Sequence, residues 1–140
     1  MERTEIAALL TQNGLRPTQQ RLAVYEFLLR RTHPCAETVY TAVSREHPSF
    51  SRTTVYNSLH ALADAGLVIE LTVSGTPERR YDVNTLPHGH FLCLGCRTLY
   101  DVPVDKDAVQ ALQPAGFTVT GQTISFTGLC PRCSAAEKRT

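Results

Sequence analysis

Four of the five cysteines fall into two pairs of identical spacing, Cys93 with Cys96 and Cys130 with Cys133. Two intervening residues let one tight turn present both sulfurs to a single ion, and two such turns make a four-thiolate set suited to tetrahedral zinc. The spacers, Leu94-Gly95 and Pro131-Arg132, contain the Gly and Pro that such turns use. Each pair also follows an apolar, strand-like run, His90 to Leu92 and Ile124 to Leu129. A structural zinc staple of this kind contributes folding free energy on the order of 10 kcal/mol in peptide systems. The competing readings are two disulfides, a redox dithiol or an iron-sulfur cluster. The chain begins Met-Glu-Arg, with no signal peptide or apolar spanning run, so a cytoplasmic location is expected. A reducing cytosol disfavours structural disulfides. A thioredoxin-like dithiol calls for a strand-to-helix setting, and a second pair would be superfluous to it.

At 140 residues the chain is long enough for one domain or two small ones, and 42% hydrophobic with 19% charged content is ordinary for a globular protein. The formal charge of +1 says little about partners, but its distribution says more. All nine basic residues in the first 80 positions are Arg, the side chain suited to bidentate phosphate and guanine contacts. Eight acids share that segment, which nets only +1.

The first half reads as a succession of short helices. Ile6, Leu9 and Leu10 form a helical stripe that stops at Asn13-Gly14. Arg16-Pro17-Thr18 opens a second helix with Leu22, Tyr25, Leu28 and Leu29 on its apolar face. A third, Ala36 to Glu46, turns Val39, Tyr40 and Val43 inward and ends at His47-Pro48. Ser51 is a good N-cap and Gly66 a good stop, so Arg52 to Ala65 is expected to be a fourth helix. Val55, Leu59 and Leu62 give it a core stripe, which leaves Arg52, Thr53, Tyr56, Asn57 and His60 facing outward. Those side chains can reach phosphates and base edges from a helix laid in the major groove. Any surface helix shows polar residues outward, but here a hairpin follows: Leu67 to Val73, a turn at Ser74-Gly75-Thr76-Pro77, then Arg79 to Val83. A hairpin directly behind such a helix reads as the wing of a winged helix-turn-helix.

After Asp82 the character changes. Asn84-Thr85-Leu86-Pro87 reads as a hinge, and the remainder is strand-rich: His90 to Leu92, Thr98 to Val102 and Phe117 to Leu129, with a short helix from Asp105 to Leu112. The expected domains are therefore 1–83 for DNA binding and 84–140 for dimerisation and metal binding. One winged helix reads half a site, so a homodimer on two-fold symmetric double-stranded operator DNA is the expected assembly. His88 and His90 alternate onto one strand face, which favours metal coordination.

Five separated motifs, in order, resemble those of the ferric uptake regulator (Fur) family of transcriptional repressors. They are Arg16-Pro17-Thr18-Gln19-Gln20-Arg21, Thr54-Val55-Tyr56-Asn57-Ser58-Leu59, Arg80-Tyr81-Asp82, His88-Gly89-His90-Phe91-Leu92-Cys93-Leu94-Gly95-Cys96 and Cys130-Pro131-Arg132-Cys133. The resemblance implies an α+β protein: an N-terminal winged helix-turn-helix domain joined to a C-terminal α/β dimerisation domain with a four-cysteine zinc site. It implies DNA contacts from Arg16, Arg21, Arg52, Thr53, Tyr56, Asn57 and His60. It further implies a regulatory ion between the domains, held by His33, Asp82, His88, His90 and Asp101. Three imidazoles and two carboxylates suit Fe(II) or Mn(II). His47 and His60 match no ligand position of the family.

Two departures separate the branches of that family. Asp101 stands where iron-sensing members usually carry Glu, and Asn57 where they usually carry Arg; both choices resemble the peroxide-sensing PerR branch. No His occurs between Phe117 and Leu129, where iron and zinc sensors often place a further ligand. The branch resemblance implies that peroxide reacting at Fe(II) converts His33 or His88 to 2-oxo-histidine and releases DNA. An iron, manganese or zinc uptake regulator without peroxide sensing is the alternative within the family. A zinc enzyme using His88 and His90 is the alternative outside it, and no enzymatic activity is expected. Cys35, the unpaired cysteine, reads as a small core residue at a helix start, with a thiol acting beside His33 as the other reading.

Overall fold

In the computed structural model, residues 1–30, 32–72, 78–83, 85, 88–119 and 122–138 are described. They divide into two compact units, Met1–Thr85 and Leu86–Thr140. The expected wing turn at Ser74-Gly75-Thr76-Pro77 lies outside the described residues, as do Asn84, Leu86 and Pro87 of the expected hinge.

The first unit runs α1 (Arg3–Gln12), α2 (Gln19–Leu28), α3 (Ala36–Glu46), α4 (Arg52–Asp64), β1 (Ile69–Thr72) and β2 (Arg79–Asp82). Two of its helices, α2 and α4, start where small hydroxyl side chains stand. The Thr18 hydroxyl accepts from the Arg21 amide at 3.2 Å, and the Ser51 hydroxyl accepts from the Thr54 amide at 3.1 Å. Each satisfies an N-terminal amide that the helix cannot pair, a contribution of about 1 kcal/mol. Gly14 and Gly66 end α1 and α4 in the left-handed region, at φ 80° and 78°. The apolar stripes then close one core from Ile6, Leu10, Leu22, Val24, Leu28, Val39, Val43, Val55, Leu59, Leu62, Val68 and Tyr81. Leu29 and Tyr40 are only partly buried against it.

Between α3 and α4 the chain turns with His47 stacked on Phe50, ring centroids 4.5 Å apart. The Phe50 amide donates to the His47 carbonyl. His47 is thus a piece of the helix-turn-helix turn. β1 and β2 pair antiparallel with Ile69 opposite Asp82, and an isolated bridge joins Cys35 to Arg80.

The second unit runs β3 (Gly89–Cys93), β4 (Leu99–Val102), α5 (Lys106–Leu112), β5 (Ser125–Gly128) and α6 (Pro131–Lys138). Its sheet has the order β4-β3-β5, with β3 antiparallel to β4 and parallel to β5. One expectation needs correction. The run from Phe117 to Leu129 is a strand only over Ser125–Gly128; Phe117 and Val119 are exposed, beyond a left-handed Gly116. The stretch after Cys130 is a helix, because Pro131 fits the first helical position and Ala135, Ala136 and Glu137 favour continuing it. Little apolar surface is buried in this unit. Leu92, Cys93 and Cys130 are its fully enclosed side chains among the described residues.

Candidate metal centres and nucleic-acid surface

The four cysteines converge because three elements end at the same place. Cys93 closes β3, Cys96 follows after one turn, and β5 leads parallel to β3 into Cys130 and the first turn of α6. All four sulfurs lie within 4.8 Å of one another. Cys96 Sγ and Cys130 Sγ are 3.9 Å apart. A tetrahedral site with metal–sulfur bonds of about 2.3 Å has sulfur–sulfur edges of about 3.8 Å. The turn is shaped for this approach. Arg97 adopts the left-handed region at φ 63°, and its amide donates to the Cys93 carbonyl at 2.8 Å. A Cβ on Gly95 would meet Cys133 Sγ at 3.0 Å and its Cβ at 3.1 Å, so any larger residue would require Cys133 to shift by a few tenths of an ångström. The amides of Cys96 and Cys130 both donate to Cys93 Sγ.

The electrostatics of the cluster call for a cation. The Thr98 hydroxyl and amide, together with its sulfur neighbours, hold the Cys96 thiol down at about 5. Cys130, Cys93 and burial push Cys133 up to about 12. Four thiolates this close cannot all ionise unaided, and a bound dication removes that conflict.

Histidines and carboxylates also gather within each unit. In the second, strand register does the work: His90 stands directly opposite Asp101 across β3 and β4. His88, two residues earlier, shares the face. The result is a triad in which His88 Nε2 and His90 Nε2 lie 3.1 Å apart, with Asp101 Oδ1 at 3.3 Å and 3.4 Å from them. Both imidazoles are largely buried, and the carboxylate is about one-third exposed. Two imidazole nitrogens and a carboxylate oxygen this close could serve together as metal ligands.

In the first unit, His33 Nε2 lies 3.4 Å from Asp82 Oδ2. Both residues are almost fully enclosed, His33 at 3% exposure and Asp82 at 1%. His33 also sits in the left-handed region at φ 53°, immediately before Pro34. For a non-glycine residue that conformation costs roughly 1–3 kcal/mol, and it persists only where surroundings enforce it.

Cys35 precedes α3 next to this pair and is half-buried, with Sγ 3.3 Å from the Thr38 hydroxyl. Burial pushes its thiol up; hydrogen bonds from Thr38 and from the Glu37 amide outweigh that and leave it below its ordinary value. It therefore stands at the N-cap position of α3 without a capping side-chain bond to the backbone, and it is not an enclosed core residue.

On α4 the expected faces separate cleanly. Val55, Leu59 and Leu62 are fully enclosed, whereas Arg52, Thr53, Asn57 and His60 are exposed and Tyr56 half-buried. Thr18, Gln20 and Arg21 from the start of α2 line one shallow cleft with Thr54, Asn57 and Ser58. Arg21 donates to the Arg16 carbonyl at 3.0 Å, which orders the entry to α2, and Arg16 is exposed. Glu37 on α3 was absent from the sequence reading. Its carboxylate accepts from Arg52 and from the Tyr56 hydroxyl, and those bonds hold it below the usual carboxylate range. The Arg52 guanidinium also lies over the Tyr40 ring, 4.6 Å from its centroid. Contacts between α3 and α4 decide this arrangement, and sequence spacing carries no signal of them.

Comparison with known proteins agrees with these features. The profile of the Ferric uptake regulator family matches residues 12–127. The chain is 34% identical to the "Peroxide operon regulator" of Bacillus subtilis over 97% of this chain and 96% of that one. It is 35% identical to the "Peroxide-responsive repressor PerR" of Staphylococcus aureus, covering 94% and 91% of the two chains. Among solved structures, the Campylobacter jejuni peroxide stress regulator superposes with a TM-score of 0.68 at 27% identity, covering 95% of this chain and all of that one. With a helix-turn-helix unit, a four-thiolate cluster and paired histidine and carboxylate donors in one chain, the protein belongs to the ferric uptake regulator family.

Proposed function

We propose that the protein is a metal-dependent transcriptional repressor that senses hydrogen peroxide and acts as a cytoplasmic homodimer on two-fold symmetric operator DNA, without enzymatic activity. The observation that carries this reading is the His88–His90–Asp101 triad, in a chain whose curated relatives are named for peroxide response over nearly its full length. Domain boundaries follow as 1–83 for DNA binding and 84–140 for dimerisation and metal binding.

The donor chemistry supports two metals. Cys93, Cys96, Cys130 and Cys133 would hold structural zinc, for which their spacing and charge conflict are suited. His33, Asp82, His88, His90 and Asp101 would ligate one regulatory Fe(II) or Mn(II), a mixed nitrogen and oxygen set appropriate to either ion. The support for this set is the geometry of each unit taken separately, together with family membership. Drawing ligands from both units couples metal occupancy to the DNA-binding arrangement, and the coupling is reciprocal.

Fe(II) bound there would reduce hydrogen peroxide and create an oxidant in contact with its own imidazoles. His33 and His88 are the residues whose oxidation to 2-oxo-histidine would remove a ligand. Each ring is held beside a carboxylate, so loss of one donor weakens a small set that has no surplus. Arg16, Arg21, Arg52, Thr53, Tyr56, Asn57 and His60 would supply the DNA contacts, the arginines to phosphate and the exposed face of α4 to base edges. The second unit leaves Leu112, Phe117 and Phe126 exposed by 82%, 75% and 50%, which supports pairing with a second copy. No helix among the described residues is long and apolar enough to cross a membrane.

Mass spectrometry of iron-loaded protein after peroxide tests the sensing step. One added oxygen on His33 or His88, accompanied by loss of DNA binding, is expected. Unmodified histidines with DNA binding intact would overturn the peroxide reading and leave a plain iron, manganese or zinc uptake regulator.

A further inference from the structure

Three successive residues of β2 are laid against the segment that carries His33. The Tyr81 amide donates to the Pro34 carbonyl at 3.0 Å, Arg80 bridges to Cys35, and Asp82 meets the His33 ring. Arg80 adds a contact that strand pairing does not supply: its Nη1 donates to the His33 carbonyl at 3.1 Å, across 47 residues of sequence. This carbonyl belongs to the residue held in the left-handed region. Arg80 Nε is buried without a partner among the described residues. An arginine that merely solvated the surface would turn that donor to water, so its fork is committed to this orientation.

From this geometry we propose that Arg80 is a positioning residue for the regulatory site: it clamps the His33 carbonyl, fixes the unfavourable backbone of His33, and so aims the imidazole at Asp82. The inference rests on the assignment of His33 as a ligand of the regulatory ion. Without the clamp, His33 relaxes to negative φ and its ring leaves the carboxylate.

The direction of the effect separates this role from simple charge. A guanidinium near a dication repels it, so removing a mere neighbouring charge would tighten metal binding. Removing a clamp weakens it, by about 10- to 100-fold, the range found when groups that orient metal ligands are lost.

The test compares Arg80→Met, which keeps the stem and removes the donors, with Arg80→Lys, which keeps one donor and the charge. In zinc-loaded protein, Mn(II) affinity read by electron paramagnetic resonance should fall in Arg80→Met and recover by at least half in Arg80→Lys. In metal-free protein labelled at histidine, the His33 backbone and ring resonances should move in Arg80→Met while those of His47 and His60 stay. Arg80→Gln, whose amide is too short to reach, replaces Arg80→Met for the same readouts should the latter lose the helical core. Unmoved His33 resonances, or unchanged or tighter Mn(II) binding, would overturn the proposal. A His33→Ala variant with undiminished Mn(II) affinity would instead remove the ligand assignment, and the metal-free spectra would still decide whether Arg80 sets the His33 backbone.

Discussion

At the scale of single residues, the metal-binding chemistry depends on positions that are not themselves ligands. Gly95 is the clearest case, because a methyl group there would collide with Cys133 at 3.0–3.1 Å. Gly95→Ala should cost about 1–3 kcal/mol of overpacking and speed zinc transfer to a chelator; an unchanged transfer rate would show that the α6 side of the cluster yields freely. Cys35 makes the opposite prediction. As an N-cap with an ordinary hydrogen bond to Thr38, it can be replaced by a better capping residue. Cys35→Ser should leave Mn(II) affinity and peroxide response unchanged and raise stability by about 0.5 kcal/mol, as measured by urea unfolding. A lost peroxide response would make the thiol part of the sensor.

At the scale of elements, the helices of the first unit were legible because caps, stops and stripes agreed. Thr18, Ser51, Gly14 and Gly66 mark boundaries that backbone hydrogen bonding requires, and Leu59 or Val55 could face only inward. Ser51→Ala should cost about 1 kcal/mol and weaken DNA binding through α4 while metal affinity stands. In the second unit local pattern was a poorer guide. Phe117 and Val119 looked like strand residues because they are apolar, yet they lie exposed, and Pro131, legible only as a spacer between two cysteines, opens a helix. Apolar content reports burial of any kind, including burial in an assembly, so it misleads where a face awaits a partner. The proposed ligand residues stand out in the sequence as motifs. What the motifs lacked was the neighbours that set their behaviour, Arg80 at His33 and Glu37 at Arg52, which come from elements distant in sequence. If Arg52 and Tyr56 reach the operator as proposed, Glu37, which accepts from both, would compete with DNA phosphate for them. Glu37→Gln should therefore tighten DNA binding and steepen its salt dependence by roughly one phosphate contact; weaker binding would make Glu37 an orienting group instead.

For the whole molecule, stability and function divide between the units. The first has a continuous apolar core, while the second, among its described residues, encloses few side chains and carries four clustered cysteines and an exposed apolar surface. Below about 70 residues a single core rarely suffices, so zinc removal should unfold the second unit and dissociate the proposed dimer while the helical signal of the first unit survives. Circular dichroism and sedimentation read both effects. The central claim is that one labile ion reports peroxide to the DNA-binding unit. Operator binding by zinc-loaded protein, measured with Fe(II) and with Mn(II) before and after peroxide, tests it directly. Tight binding with either ion is expected, lost after peroxide only when Fe(II) is present. Binding that survives peroxide with Fe(II), or that never required the second metal, would contradict it.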